Sequence, residues 1–169
     1  MTQHATTAPL QITSMSSPAD ARAFRTLNEE WITALFSLEE ADRAILEDPA
    51  GHVVEPGGDV LIARDAQDEV LGCVALVPFG PTADGVFELS KMAVAATARG
   101  RGVGRALLRA AIERAGELGA RTLFLGSNKK LADAVHLYES AGFQHVAPEE
   151  IGPMPYVRAD IFMSLTLQP

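Results

Sequence analysis

The chain has 169 residues, 47% of them apolar and 21% charged, and a net charge of −8. That length and composition suit one globular domain with a substantial core and argue against disorder. The acidic balance weighs against general nucleic-acid binding, whose sequence-independent part needs a basic surface.

Residues 1–8 read as a loose tail and residues 9–169 as a single domain. Leu10, Ile12 and Ser14 alternate with polar residues, which predicts a short first strand. Ser17-Pro18 is a helix start, with serine as the cap and proline in the first turn. Ala23, Leu27, Trp31 and Leu35 then recur every four residues and predict an apolar helix face. A second helix is expected over Glu39–Glu47, before Pro49, and a loop over Pro49–Gly58. Val60–Arg64 and Glu69–Pro78 read as a hairpin, and Val86–Val94 as the next strand. A helix over Val103–Leu118 has Gly119 just past its end. Then come a buried strand at Thr122–Leu125 in parallel pairing, a helix over Leu131–Ser140, and strands at Phe143–Val146 and Ala159–Leu167. The order describes a mixed α/β (α+β) protein, a sheet with helices on its faces.

The single cysteine, Cys73, forbids an internal disulfide and suits a reducing compartment. Inside the apolar run Leu71–Val77 it reads as a small core residue rather than a reactive thiol. No leader-like segment precedes Ser17, and no run approaches the ~18 apolar residues of a membrane span. A soluble, cytoplasmic protein without a membrane or nucleic-acid partner is expected. His4, His52, His136 and His145 have no metal-ligand spacing, so no metal is expected.

The segment that carries chemistry is Arg99-Gly100-Arg101-Gly102-Val103-Gly104-Arg105, between a strand and a long helix. Glycines let the backbone bend and approach a ligand, and a helix start offers unpaired N–H groups at the positive end of its dipole. A Walker A loop is excluded because no Gly-Lys-Ser/Thr follows. The dinucleotide fingerprint fails in register: from Gly100 its last glycine falls on Arg105, and from Gly102 on Leu107. What remains fits Arg/Gln-x-x-Gly-x-Gly/Ala.

With Met92-Ala93-Val94 before it and Leu137-Tyr138-Glu139-Ser140-Ala141-Gly142-Phe143 after it, this string resembles the GCN5-related N-acetyltransferase (GNAT) superfamily. The resemblance implies a mostly antiparallel seven-stranded sheet flanked by about four helices. It also implies acetyl-CoA as cosubstrate and direct transfer of its acetyl group to an amine, a small molecule rather than a protein side chain. A catalytically silent acyl-CoA-binding module is the rival reading. A homodimer is a candidate assembly.

Residue by residue, the resemblance assigns the pyrophosphate to the turn from Arg99 to Arg105 and the pantetheine arm to the strand at Met92, Ala93 and Val94. The N–H of Val94 would polarise the acetyl carbonyl. Tyr138 is the candidate acid for the leaving thiolate, or else an aromatic packed in its helix. Glu88, four residues before Met92, is the candidate base, or else an exposed strand carboxylate. Many relatives carry asparagine seven residues before the tyrosine, where this chain has Leu131; Asn128, ten before it, is the candidate that remains for the cofactor. Lys129 and Lys130 could hold phosphate or face solvent. Glu29, Glu30 and Trp31 lie on the early helices that shape the acceptor pocket, and Tyr156, Arg158 and Asp160 could line it from the C-terminal side.

Overall fold

The computed structural model describes residues 9–81, 84–152 and 155–168, so the expected tail at 1–8 lies outside the described residues. Along the chain run β1 (Gln11–Ser14), α1 (Pro18–Leu35), α2 (Glu40–Glu47), β2 (Asp59–Arg64), β3 (Val70–Pro78), β4 (Val86–Val94), α3 (Val103–Glu117), β5 (Thr122–Ser127), α4 (Ala132–Ser140), β6 (Gln144–His145), α5 (Pro148–Ile151) and β7 (Ile161–Thr166). The seven strands form one sheet in the order β1-β2-β3-β4-β5-β7-β6. All pairs are antiparallel except β4 with β5.

Each face of the sheet carries its own core. Phe87, Leu89, Leu107, Ala111 and Leu123 pack on one side, where α3 lies. Phe24, Ile32, Leu46, Ile62 and Cys73 pack on the other, under α1 and α2. Removing such side chains from water is the main favourable term in folding. Cys73 is fully buried, and burial raises its thiol to about 12, so it is a core residue.

Ser17 caps α1 as expected: its Oγ accepts the N–H of Asp20 at 3.1 Å, a contact worth about 1 kcal/mol. The buried face of that helix differs from the predicted stripe. Asp20, Phe24, Asn28 and Ile32 point inward, while Leu35 is 47% exposed. Two polar residues can be buried there because each is satisfied. Asp20 pairs with Arg64 and accepts the N–H of Ser16; Asn28 donates to the carbonyl of Phe24 and accepts from the indole of Trp31. The stripe counted on apolar residues alone therefore lies one position off.

Other differences are local. The loop after Pro49 contains a π-helical turn, Ala50–Val54, that buries Val53. Helix α5 was not expected, and β6 is two residues long, Gln144 and His145 pairing with β7 before Val146 adds one N–H bond to the carbonyl of Phe162. Strand β5 is parallel to β4 over three residues but antiparallel to β7 over six.

Candidate active site

Strands β4 and β5 pair only at Val86–Thr122, Phe87–Leu123 and Glu88–Phe124. Beyond Glu88 they part, and the gap opens into a cleft of about 570 Å³, lined from the glycine turn at one end to Trp31 and Phe36 on the other side. That volume lies in the range of small-molecule sites.

At the turn end the wall is backbone. Gly100 and Gly102 have φ of +76° and +80°, the left-handed region that disfavours a side chain. A Cβ on either would meet no protein atom within 4 Å, so the surface above them is open to a ligand. Gly102 caps α3 without a side-chain bond, and the first intrahelical bond runs from the N–H of Ala106 to the carbonyl of Gly102. The N–H groups of Val103, Gly104 and Arg105 precede it and are left for an anion. Arg99 lines the cleft, whereas Arg101 and Arg105 are exposed outside its lining. Gly72 of β3 brings the start of α3 close to the sheet: a Cβ there would stand 2.7 Å from Leu107 Cδ1 and 2.9 Å from the carbonyl of Ala93.

Along β4 a bulge redirects the side chains. The register shifts between Cys73 and Ala75, so Lys91 and Met92 stand opposite Val74 alone, and Lys91 takes φ +56°. Leu89, Met92 and Val94 pack with the α3 core while Ala93 packs with the α1 core, which is the alternation reset by one residue. Past the bulge, the N–H of Ala95 donates to the carbonyl of Leu71, which makes Val94–Gly72 a non-hydrogen-bonded pair of the β3–β4 ladder. The N–H and carbonyl of Val94 consequently point away from β3, toward the gap left by β5.

Two titratable groups face this gap. Glu88 is only 8% exposed, and burial pushes its carboxyl up to about 7 against the opposing pull of Lys91. Tyr138 is 7% exposed, leans on Phe143 at 5.9 Å between ring centroids, and is pushed up to about 12 by burial. Both line the cleft. A carboxyl near 7 can take a proton at neutral pH, and a phenol near 12 is held protonated and able to give one.

The opposite wall is a buried ion cluster. Asp42 of α2 is fully buried and receives Lys91 Nζ at 2.8 Å, both terminal nitrogens of Arg158 at 2.6 Å, and the N–H of Glu39 at 2.9 Å. Despite its burial, Arg158 and Lys91 hold its carboxyl down at about 2. Lys91 Nζ also donates to Tyr156 Oη at 3.0 Å, and the Tyr156 ring lies 4.3 Å from that Nζ and 4.8 Å from the Arg158 guanidinium. Glu39 accepts from the N–H of Val157 and from Arg158, tying the segment before β7 to α2.

The chain matches the Acetyltransferase (GNAT) family over residues 21–143. It belongs to that family. An uncharacterized N-acetyltransferase of Schizosaccharomyces pombe is 30% identical over 161 residues, covering 94% of this chain and 95% of its own. An N-acetylaspartate synthetase of Xenopus tropicalis is 30% identical over 131 residues, covering 78% of this chain and 48% of its own. A GNAT-family acetyltransferase structure from Staphylococcus aureus superposes with a TM-score of 0.83 at 18% identity, covering 95% of this chain and all of that one, which shows the fold. This GNAT chain is accordingly an acyltransferase that takes an acyl-CoA cosubstrate.

Of the residues singled out in the sequence, Glu88, Met92, Ala93, Val94, Arg99, Gly100, Gly102, Val103, Gly104, Asn128, Tyr138, Tyr156 and Trp31 meet in one cleft. Glu29 and Glu30 do not join them: Glu29 pairs with Arg25 on the outer face of α1, and Glu30 is exposed. Helical rotation is the reason, since Trp31 and Leu35 share the cleft-facing side and the glutamates turn away. Asn128 lines the cleft, but its amide is committed within the protein. It donates to the carbonyl of Arg158 at 2.7 Å and to Asp160 at 3.3 Å, and accepts from the N–H of Lys130 at 2.8 Å. These bonds tie it to the segment before β7, and Asp160 also accepts the N–H of Lys129. Asp42 and Lys91 went unnoticed in the sequence, and no local signal marks them, because a lysine with positive φ and a helix carboxylate three residues after Glu39 look ordinary. Among the described residues no three His, Cys, Asp or Glu side chains gather as metal ligands, and no helix is long and apolar enough to cross a membrane.

Proposed function

We propose that this acetyltransferase moves the acetyl group of acetyl-CoA directly to the amine of a small molecule, with Glu88 as base and Tyr138 as acid. The observation that carries the reading is the convergence of a carboxyl near 7, a phenol near 12 and the outward N–H of Val94 on one gap between parted strands. The turn from Arg99 to Arg105 fits a pyrophosphate, because its N–H groups are unpaired and no Cβ stands over Gly100 or Gly102.

Acetyl-CoA supplies an activated acyl carbon and a thiolate leaving group. Val94 N–H donates to the oxygen on which charge develops. Glu88 accepts a proton from the incoming ammonium, directly or through water, and frees the nitrogen lone pair to attack. As the C–N bond forms and the C–S bond breaks, Tyr138 gives its proton to sulfur. The proton shed by the new amide nitrogen restores the phenol. No enzyme side chain is acylated, so no nucleophilic cysteine or serine is required, which agrees with Cys73 being sealed in the core. The frog relative is named for making N-acetylaspartate, a small-molecule product.

The test is release of coenzyme A thiol across a panel of amines. Turnover on at least one small amine is expected, with kcat/KM rising through an acid limb near pH 7 that is missing in Glu88→Gln. Tight acetyl-CoA binding with no turnover on any amine would point instead to a silent binding module.

A further inference from the structure

The acceptor end of the cleft has an unusual charge for a chain of net charge −8. Its lining contains Lys91, Lys130 and Arg158 beside two carboxylates, the buried Glu88 and the exposed Asp133. The carboxylates that pair the buried cations, Asp42 and Glu39, stand behind the wall and are not part of the lining. Lys91, 2% exposed at its side chain, and Arg158 are thus matched by two carboxylates, and the cation left over is Lys130. Lys130 pairs with no carboxylate among the described residues, and its Nζ lies 5.4 Å from the Phe36 ring at the mouth. Tyr156 Oη accepts from Lys91, and its own proton has no acceptor among the described residues. Next to these donors Trp31, Leu35 and Phe36 offer an apolar surface, with the indole fixed by its bond to Asn28.

We infer that the acceptor is an amino carboxylate: an amine that carries a carboxylate a few bonds away and an apolar side chain, as an α-amino acid does. This rests on the transfer reading given above. The geometry divides the acceptor among three surfaces. The amine meets Glu88, the carboxylate meets the donors of Lys130 and Tyr156, and the side chain lies on the Trp31–Phe36 surface. A polyamine would bring several positive charges toward the unpaired Lys130, and like charges repel.

The experiment compares kcat/KM at saturating acetyl-CoA for leucine and phenylalanine, for their carboxamides, and for spermidine. The amino acids should exceed their amides by at least about tenfold, and spermidine should be the poorest acceptor. Lys130→Glu should lower the acid-to-amide ratio about fivefold, in line with loss and reversal of one exposed ion contact, without changing acetyl-CoA affinity. An acid-to-amide ratio near one in the unaltered protein, or a preference for spermidine, overturns the inference while leaving the transfer reading intact. Absence of turnover on every amine, with acetyl-CoA bound, overturns both.

Discussion

At the cofactor end the cleft is made of backbone: three contiguous N–H groups, two glycines in left-handed conformation, and one strand edge at Val94. At the acceptor end it is made of side chains brought from α1, the β4 bulge, the turn after β5 and the segment before β7. A backbone site reads what all acyl-CoA molecules share and depends on a few adjacent residues. A side-chain site assembled from four distant segments can change with any of them, so the same fold can keep its donor while its acceptor varies.

The sharpest way to break this division is Gly102→Asp. A carboxylate would stand where the anion binds, at a position whose φ disfavours any side chain, so acetyl-CoA affinity should fall by more than about a hundredfold. Calorimetric titration reads it, and unchanged affinity would remove the turn from the cofactor site. Tyr138→Phe should instead lower kcat by about 10²-fold or more with acetyl-CoA affinity nearly intact, since the hydroxyl acts on the leaving group. Equal activity would take the acid role from Tyr138.

Asp42→Asn attacks the other end. Two buried cations lose their shared partner, which should cost about 3–5 kcal/mol in urea unfolding. The acceptor KM should rise while acetyl-CoA affinity stays within about twofold; a parallel loss of both would show that the two ends are not separable. In the unaltered protein the Asp42 contribution is fully present above its unfolded value near 3.8 and is lost as pH falls toward about 2, because its folded value is lowered.

Glu88→Gln gives the smallest effect and links the ends. Glu88 has a raised folded value of about 7 against 4.5, so its protonated form is the one the fold favours, and the ionised form costs stability as pH rises between them. Unfolding at pH 5 and pH 8 should therefore show the unaltered protein losing roughly 3 kcal/mol relative to the variant across that window. Activity should move the opposite way, with the variant slower at every pH. Parallel pH dependence of stability in the two proteins would place Glu88 in water rather than in the cleft wall.

How far the sequence could be read follows the same division. Local signals were enough for the turn: glycine spacing, a strand before and a helix after, and the motif around Tyr138. They were also enough for most elements, because hydrophobic alternation and proline or glycine at the ends are written within a few residues of each other. They failed where a long-range contact decides. The buried face of α1 was misplaced because Asp20 and Asn28 go inside only by virtue of Arg64 and Trp31. Nothing beside Asn128 in the chain shows that its amide bonds Arg158 and Asp160, about thirty residues on. The Lys91 bulge leaves no mark in composition, and the partners of its side chain, Asp42 and Tyr156, lie elsewhere in the chain.

The position of β7 has a consequence for how the protein is made. This strand leaves the ribosome after the other six, yet it is inserted between β5 and β6, and β6 has no other neighbour in the sheet. Tyr156 and Arg158 arrive with it. A nascent chain can thus complete the β4 edge, the glycine turn and α3 before Tyr156 and Arg158 join the cleft. Those two side chains reach the cleft in the same docking step that closes the sheet.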